Sequence, residues 1–144
     1  MPNIEKIYLP AEKDALLEQC DFVVICMPLT PETHHLIDAA ALKRMRSSAW
    51  LINVGRGPIV DESALIDNLQ SKTIAGAVLD VFETEPLPAG HPLWSLSNVR
   101  ITPHIAGDHL ASYMPRMMAI LSRNYQTYPD LAAMQNLVDV RRGF

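Results

Sequence analysis

The stretch LINVGRGPIVDE, residues 51–62, decides the fold, because a strand-like run, a tight turn and a helix start follow one another in it. Residues 51–54 are an apolar run typical of a strand, the Gly-Arg-Gly turn around Arg56 ends it, and Asp61 is typical of a helix N-cap. In open α/β sheets, ligands bind in the crevice beyond the carboxyl ends of the strands, which is where this turn places Arg56. An arginine there suits a carboxylate or a phosphate, although a solvated arginine in a glycine turn shows the same pattern.

Two further apolar runs end in residues that can carry acid/base chemistry. Residues 75–82, AGAVLDVF, contain Asp80 and lead to a further acid, Glu85. Residues 98–107, NVRITPHIAG, contain a short β-branched run that ends near His104. Parallel strands have their carboxyl ends at one edge of the sheet. We therefore expect a cation, acids and a histidine together at that edge, as an acid/base site for an anionic substrate requires.

Four segments, in order, resemble the signature of the D-2-hydroxyacid dehydrogenases: LINVGRGPIVDESAL, AGAVLDVFETEPLP, HPLW and VRITPHIAG. This family includes phosphoglycerate, glyoxylate/hydroxypyruvate and D-lactate dehydrogenases, and the resemblance runs from about residue 21 to residue 107. It implies an NAD(P)-dependent oxidoreductase that transfers hydride between a nicotinamide and a small 2-hydroxy or 2-oxo acid. The fold class that it implies is α/β, a Rossmann-type parallel sheet with helices on both faces.

Carried over residue by residue, the resemblance implies a role for each site residue. The family's catalytic, substrate-binding arginine falls on Arg56, its catalytic glutamate on Glu85 and its acid/base histidine on His104. On composition alone Glu83 would serve as well as Glu85, and the family spacing of five residues after Asp80 selects Glu85. Asp80 would hold the nicotinamide carboxamide. The implied contacts with NAD or NADP are Met27, Pro28, Thr33, Val54, Gly55, Arg56, Asp80, His104 and Gly107.

The chemistry fits these residue types independently of the resemblance. Oxidation of a hydroxy acid needs a base for the hydroxyl proton, and a histidine suits that role because its ordinary pKa lies near neutrality. A nearby carboxylate stabilises and orients the protonated ring. A cation that holds the substrate carboxylate keeps the reactants in near-attack geometry, and the hydride chemistry itself belongs to the cofactor.

The resemblance also implies that the first two strands of the Rossmann sheet are missing from these residues. No G-x-G-x-x-G occurs, so the glycine turn for the pyrophosphate is missing too, as is the later acid or arginine that selects NAD or NADP. We therefore interpret the chain as a C-terminal fragment that is inactive by itself. The third strand is expected at residues 4–9, and the later strands at residues 22–26, 49–54, 74–81 and 99–101.

The strand at residues 22–26 then becomes an apolar open edge, which proteins generally avoid. Either residues 4–9 pair there, or another chain covers the edge, or the missing half is needed. We expect a homodimer. The expected domains are the C-terminal part of the nucleotide-binding domain, a connecting helix, and a tail that would return to the substrate domain, at residues 1–107, 108–127 and 128–144.

Helices are expected at residues 11–19, 39–45 and 62–70, the last two with Asp38 and Asp61 as N-caps. Prolines and a glycine predict a loop at residues 83–96.

An apolar stripe with helical spacing follows residue 107, and we expect it to pack against a core. Pro115 lies within it, so the helix either begins there or is kinked. The stripe consists of Met114, Met117, Met118, Leu121 and Tyr125.

Composition indicates a globular, cytoplasmic protein. Hydrophobic residues make up 49% of the chain, enough for the core of one domain. The net charge of -4 and the lack of a basic cluster argue against nucleic-acid and membrane-surface partners, and no apolar run reaches transmembrane length. No histidine stands at zinc-site spacing from a cysteine or an acid, so no metal is expected. We expect His34 and His35 to be solvated and His91 to be structural or exposed.

Two other classes of function share this fold. One is an NAD(H)-sensing binding or corepressor-like module, and the other is a non-catalytic oligomerisation fragment. The presence of Arg56, Glu85 and His104 together favours the enzyme. The DNA upstream of Met1, read for an in-frame glycine motif, would separate a fragment from a naturally short chain.

Overall fold

The computed structural model describes residues 4–107 and 110–141. The chain divides into two compact units, Met1–His104 and Ile105–Phe144. The first unit contains the sheet and the second contains a long helix. No helix among the described residues combines the length and the apolar character that a membrane span requires.

The first unit is built on a sheet of four parallel strands that lie side by side in chain order. Each strand is a short, mostly apolar run, as predicted, although three of them are shorter than the predicted segments. In register, Val23 pairs with Leu51, Leu51 with Ala77, and Ala77 with Val99. The strands are β1 (Phe22–Ile25), β2 (Trp50–Asn53), β3 (Gly76–Leu79) and β4 (Val99–Ile101).

Three helices of this unit are α1 (Lys13–Leu17), α2 (Ala39–Arg44) and α3 (Glu62–Gln70). Both predicted N-caps are confirmed, because Asp38 accepts the N–H of Ala41 at 2.8 Å and Asp61 accepts that of Ala64 at 2.9 Å. The first helix is shorter than predicted, since a 3₁₀ turn at Pro10–Glu12 precedes it. The predicted loop at residues 83–96 contains one 3₁₀ turn, Pro92–Ser95.

The core lies on one face of the sheet. Leu51 and Ala77 on that face are fully buried, in one cluster with Leu17, Leu42 and Leu65 of the three helices. On the opposite face Phe22 is 66% exposed and Val24 is 53% exposed. The predicted Rossmann-type parallel sheet is therefore confirmed, but within residues 4–104 a helical layer covers only one of its faces. Continuous apolar strands do not reveal which face is covered.

The strand predicted at residues 4–9 is wrong, because these residues form no strand. The side chains of Ile4, Ile7 and Leu9 are all exposed, and Pro10 follows them with no N–H to donate. Within the described residues β1 is therefore an edge strand, paired only with β2. Of the alternatives for covering this edge, pairing by residues 4–9 is wrong.

The second unit contains α4 (Leu110–Thr127) and a 3₁₀ turn at Leu131–Ala133. The helix begins before Pro115, which lies inside it. Its apolar stripe is exposed, with Leu121 at 58% and Tyr125 at 85%, so the expectation of core packing is wrong here. Helical spacing predicts the helix and its apolar face, whereas burial also needs a facing surface.

Candidate active site

The site is centred on a histidine–glutamate pair that joins the loop after β4 to the turn after β3. Nδ1 of His104 lies 2.8 Å from Oε2 of Glu85. The hydrogen bond with His104 holds the pKa of Glu85 below its ordinary value against the opposing effect of burial, and the N–H of Phe82 and the charge of Arg56 lower it further. Since Glu85 engages Nδ1, the other ring nitrogen of His104, Nε2, is placed for a reacting proton.

Glu85 is fixed through both carboxylate oxygens. Oε1 accepts the backbone N–H of Phe82 at 3.0 Å, which closes the turn, and Oε2 faces the histidine ring. The side chains of His104 and Glu85 are 48% and 36% exposed, so the pair remains accessible from solvent. A carboxylate held at two points orients a histidine in the way that the third member of a catalytic triad does.

His104 has a positive φ of 54°, which few residues other than glycine adopt. Such a conformation costs of order 1 kcal/mol and persists where the surrounding contacts hold it. Strain of this kind clusters at functional sites, and here it falls on the residue that carries the ring of the pair.

Arg56 lies just beyond β2, on a turn braced by the buried amide of Asn53. Nδ2 of Asn53 donates to the carbonyl of Arg56 at 3.0 Å, and its Oδ1 accepts the N–H of Gly55 at 3.0 Å. The arginine itself is exposed, and Nη1 donates to the carbonyl of Gly55 at 2.8 Å. Among the described residues no carboxylate forms an ion pair with this guanidinium, so its charge is available to an anion.

The Arg56 turn and the Glu85 turn touch through Gly57. A Cβ atom at Gly57 would lie 2.0 Å from the carbonyl group of Phe82 and 2.5 Å from the backbone nitrogen of Glu83. Two backbones can approach so closely only where one residue lacks a side chain. This contact fixes the cationic turn against the acidic one.

Asp80 follows β3 directly and is 2% exposed. It accepts a hydrogen bond from the hydroxyl of Thr102, and its backbone N–H donates to the carbonyl of Asn53 at 3.0 Å. The structure thus places this buried acid between the ends of β2 and β4. Its contact with a nicotinamide carboxamide stays a prediction.

The other predicted cofactor residues of the first unit lie beyond β1 and β2. Met27 and Pro28 follow β1, and the hydroxyl of Thr33 donates to the carbonyl of Pro28 at 2.9 Å, which closes their turn. Met27 and Val54 are 38% and 37% exposed. A Cβ atom at Gly55 would lie 2.9 Å from the carbonyl oxygen of Met27, so the two strand ends are adjacent.

Gly107, the last predicted cofactor residue, belongs to the second unit. A Cβ atom there would meet nothing within 4 Å. Its contact with a cofactor stays a prediction.

A cavity of about 640 Å³ opens beside the histidine–glutamate pair. Its walls are mostly apolar, and Nε1 of Trp94 donates to the carbonyl of Pro88 at 2.9 Å, which holds the indole in place. An apolar cavity with a few convergent polar groups is typical of a small-molecule site. Its lining includes Phe82, Leu87, Trp94, Ile101, Glu85 and His104.

Sequence reasoning missed several residues that support these groups. Asn53 had a signal, since a polar side chain at the end of a buried apolar strand needs hydrogen-bond partners. No sequence signal pointed to Glu62, because its partners, Glu83 and His91, come from distant segments. The contact of His35, whose side chain is 39% exposed and whose Nε2 lies 3.1 Å from Oε1 of Glu83, was also not predicted. His91 proves structural, with Nε2 3.2 Å from Oε1 of Glu62.

Comparison with known proteins identifies the family. Residues 3–106 match the family model for the NAD binding domain of D-isomer specific 2-hydroxyacid dehydrogenases. The chain belongs to this family. It is 48% identical over 124 residues to glyoxylate reductase of Thermofilum pendens, a match that covers 86% of the chain and 35% of the relative. It is also 48% identical over 132 residues to glyoxylate/hydroxypyruvate reductase B of Citrobacter koseri, covering 90% and 36%. The chain thus spans about a third of the length of these curated relatives.

Solved structures of the same family have a fold similar to that of this chain. The chain superimposes with a TM-score of 0.80 and 43% identity on a D-isomer specific 2-hydroxyacid dehydrogenase from Xanthobacter autotrophicus Py2 in complex with NADPH and MES, covering 93% of this chain and 54% of that one. It is also similar to the NADPH-dependent glyoxylate/hydroxypyruvate reductase of Sinorhizobium meliloti in complex with NADP and sulfate, with a TM-score of 0.83, 30% identity and coverage of 95% and 44%. The predicted family and the Rossmann-type fold are confirmed.

Proposed function

We propose that these residues supply the acid/base groups and the nicotinamide side of the cofactor site in an NAD(P)-dependent D-2-hydroxyacid dehydrogenase. The observation that carries the proposal is the 2.8 Å contact between His104 and Glu85 at the sheet edge where Arg56 also lies. Since the similar proteins are named glyoxylate and hydroxypyruvate reductases, a small 2-oxo acid of that kind is the proposed substrate.

The residues present suit one half of a dinucleotide. Met27 and Val54, each a little over a third exposed, offer apolar surface at the ends of β1 and β2, and the buried carboxylate of Asp80 lies at the end of β3. This is the crevice in which open α/β sheets bind such ligands. The bound nicotinamide would supply the hydride chemistry, while the residues described here orient the substrate and move its proton.

His104 is proposed to move that proton. In the reduction of a 2-oxo acid the protonated ring donates its Nε2 proton to the substrate carbonyl oxygen, and in the oxidation of a hydroxy acid Nε2 takes the hydroxyl proton. Glu85 orients the ring through its contact with Nδ1 in both directions, as the third member of a catalytic triad does for its histidine.

Arg56 is proposed to bind the substrate carboxylate. Its planar guanidinium can donate two parallel hydrogen bonds to a carboxylate. Its positive charge would also stabilise the negative charge that develops on the reacting oxygen. The brace from Asn53 and the contact of Gly57 with Phe82 would keep this cation at a fixed position relative to Glu85.

The test uses the native polypeptide that contains these 144 residues. NADH and NADPH oxidation are measured with glyoxylate, hydroxypyruvate and pyruvate, in the wild type and in His104→Gln and Glu85→Gln. We expect turnover in the wild type and a loss of about a hundredfold or more in kcat in the variants, as for removal of an acid/base group. Glu5→Gln is the control, because it changes an exposed acid that is distant in sequence from the site residues and should leave kcat unchanged.

Tight cofactor binding without turnover of any 2-oxo acid would contradict the enzyme and support the NAD(H)-sensing module. Light scattering on the same sample tests the predicted homodimer, and cell fractionation tests the predicted cytoplasmic location. Both stay predictions from the sequence.

A further inference from the structure

Two glutamates, Glu62 and Glu83, tie the Glu85 turn to the start of α3. The backbone N–H of Glu83 donates to Oε2 of Glu62 at 3.2 Å, and the N–H of Glu62 donates to Oε1 of Glu83 at 3.3 Å. Each carboxylate thus accepts the main-chain hydrogen of the other residue. We call this reciprocal pair of hydrogen bonds the Glu62–Glu83 clasp.

Each carboxylate of the clasp is oriented by a histidine. Nε2 of His91 lies 3.2 Å from Oε1 of Glu62, while Nδ1 of His91 accepts the N–H of Leu93. An acceptor role for Nδ1 places the ring hydrogen on Nε2, which then donates to Glu62. The side chains of His91 and Glu62 are 19% and 14% exposed, so this contact is largely sheltered from water. Nε2 of His35 lies 3.1 Å from Oε1 of Glu83.

The clasp acts on the same backbone that carries Glu85. The peptide group between Phe82 and Glu83 packs against Gly57, and its N–H is held by Glu62. The preceding N–H, that of Phe82, is held by Oε1 of Glu85. Two successive N–H groups are therefore engaged by two carboxylates, one from α3 and one from the catalytic pair. Any movement of this peptide shifts the point to which Glu85 is anchored.

We propose that Glu62 is a positioning residue for the His104–Glu85 pair: through the clasp, and oriented by His91, it fixes the backbone that aims Oε2 of Glu85 at the histidine ring. The proposal rests on the proposed function for the identity of the reaction, but its geometry does not depend on turnover. Small misplacements of a catalytic group are costly to the rate. Loss of the clasp should therefore lower kcat, whereas binding of the substrate carboxylate by Arg56 should change little.

The direction of the Glu85 pKa separates positioning from simple charge removal. Replacing Glu62 removes a negative charge from the neighbourhood, and by itself that would lower the pKa of Glu85 further. If the replacement instead weakens the hydrogen bond between Glu85 and His104, the pKa of Glu85 rises toward its ordinary value. The two mechanisms therefore predict changes of opposite sign.

The experiment titrates the side-chain carboxyl carbon of Glu85 by NMR in the native polypeptide, with the resonance assigned by its loss in Glu85→Gln. In Glu62→Ala we expect the pKa of Glu85 to rise by about half a unit or more. We also expect kcat to fall about tenfold with KM within about twofold of the wild type. Asp67→Ala is the matched control, since it removes an exposed acid from the same helix and should change neither quantity.

Conservative variants complete the test. Glu62→Gln keeps one oxygen that can accept the N–H of Glu83, but its –NH₂ group would face the Nε2 hydrogen of His91, so it should recover only part of kcat. His91→Asn keeps a side-chain acceptor for the N–H of Leu93 but cannot reach Glu62. It should therefore raise the pKa of Glu85, and it should fold even if Glu62→Ala does not.

An unchanged or lowered Glu85 pKa in the folded Glu62→Ala and His91→Asn proteins would overturn the proposal. Absence of turnover in the wild type would count against the proposed function alone, because the titration still reads the clasp.

Discussion

Gly57 lies directly against the peptide group that joins Phe82 to Glu83, at a distance that leaves no room for a side chain. Arg56 directly precedes Gly57 on one side of this contact, and Glu85 follows Glu83 by two residues on the other side. A single close approach of two backbones thus sets the spacing between the cation that would hold a substrate carboxylate and the acid that orients His104.

Gly57→Ala should therefore damage both fold and activity. Its methyl group would lie 2.0 Å from a backbone carbonyl, which cannot rotate away as a flexible side chain could. We expect the free energy of unfolding to fall by about 1–3 kcal/mol, as for overpacking, and kcat to fall as well. Gly90→Ala is the control, since a Cβ atom there would meet nothing within 4 Å, and it should change stability by less than about 1 kcal/mol. Equal stabilities in denaturant titrations of the two variants would contradict the contact.

The lowered pKa of Glu85 predicts how stability depends on pH. Because its pKa is lower in the folded protein than the ordinary value of 4.5, the ionised side chain stabilises the fold above pH 4.5. As the pH falls below that value, the unfolded chain takes up the proton first, and the contribution is lost as the pH falls through the folded pKa. The stability difference between wild type and Glu85→Gln should therefore shrink as the pH is lowered from about 6 to 3.

Denaturant titrations over that pH range check this expectation. The pKa of Asp38 is also lowered, chiefly by the N–H of Ala41, but both proteins share that effect and it cancels in the difference. Since the Glu85 side chain is about a third exposed, the difference should also shrink in high salt. A difference that grows toward low pH would contradict the pairing of Glu85 with His104.

The four strands of the sheet could be predicted because short-range patterns encode them, and their order followed from the Rossmann-type sheet that the resemblance implies. An apolar run that stops at a glycine turn or an acid marks a strand end, and the parallel order brings these ends to one edge. These patterns, together with the family spacing, selected Arg56, Asp80, Glu85 and His104 as candidate site residues, and their roles stay predictions. Both N-caps, Asp38 and Asp61, were likewise readable from the chain.

Contacts between distant segments could not be predicted where neither a motif nor the family spacing marks them. Nothing in the sequence near Glu62 indicates that its carboxylate meets the backbone of Glu83, since composition alone gives a solvated acid in the first turn of a helix. Residues 4–9 have a strand-like pattern, but a strand also needs a partner, and β1 does not pair with them. The stripe on α4 shows the same limit, because its pattern predicts an apolar face and not what covers that face.

Arg56→Ala in the native polypeptide should raise KM for the 2-oxo acid and lower kcat together, because one guanidinium would serve both substrate binding and stabilisation of the developing charge. We expect kcat/KM to fall about a hundredfold or more. Arg56→Lys keeps the charge but loses the planar fork, so it should recover only part of the loss. Arg44→Ala, which removes an exposed arginine paired with Glu18, is the control. Wild-type kinetics in Arg56→Ala would contradict the assignment.

The last prediction concerns the polypeptide of 144 residues by itself. It contains no glycine motif at a helix N-terminus for the pyrophosphate, so calorimetric titration should show weak or undetectable NAD(H) binding.

The same polypeptide should also self-associate. Among the described residues β1 has one unpaired edge and its Phe22 and Val24 side chains are exposed, and such an edge drives self-association. Light scattering should therefore show a species larger than a monomer. Val24→Lys places a charge on the exposed face of this strand and should shift the protein toward monomer, while Ser47→Lys, at another exposed position, should not. A monodisperse monomer that binds NAD(H) tightly would show that both expectations are wrong.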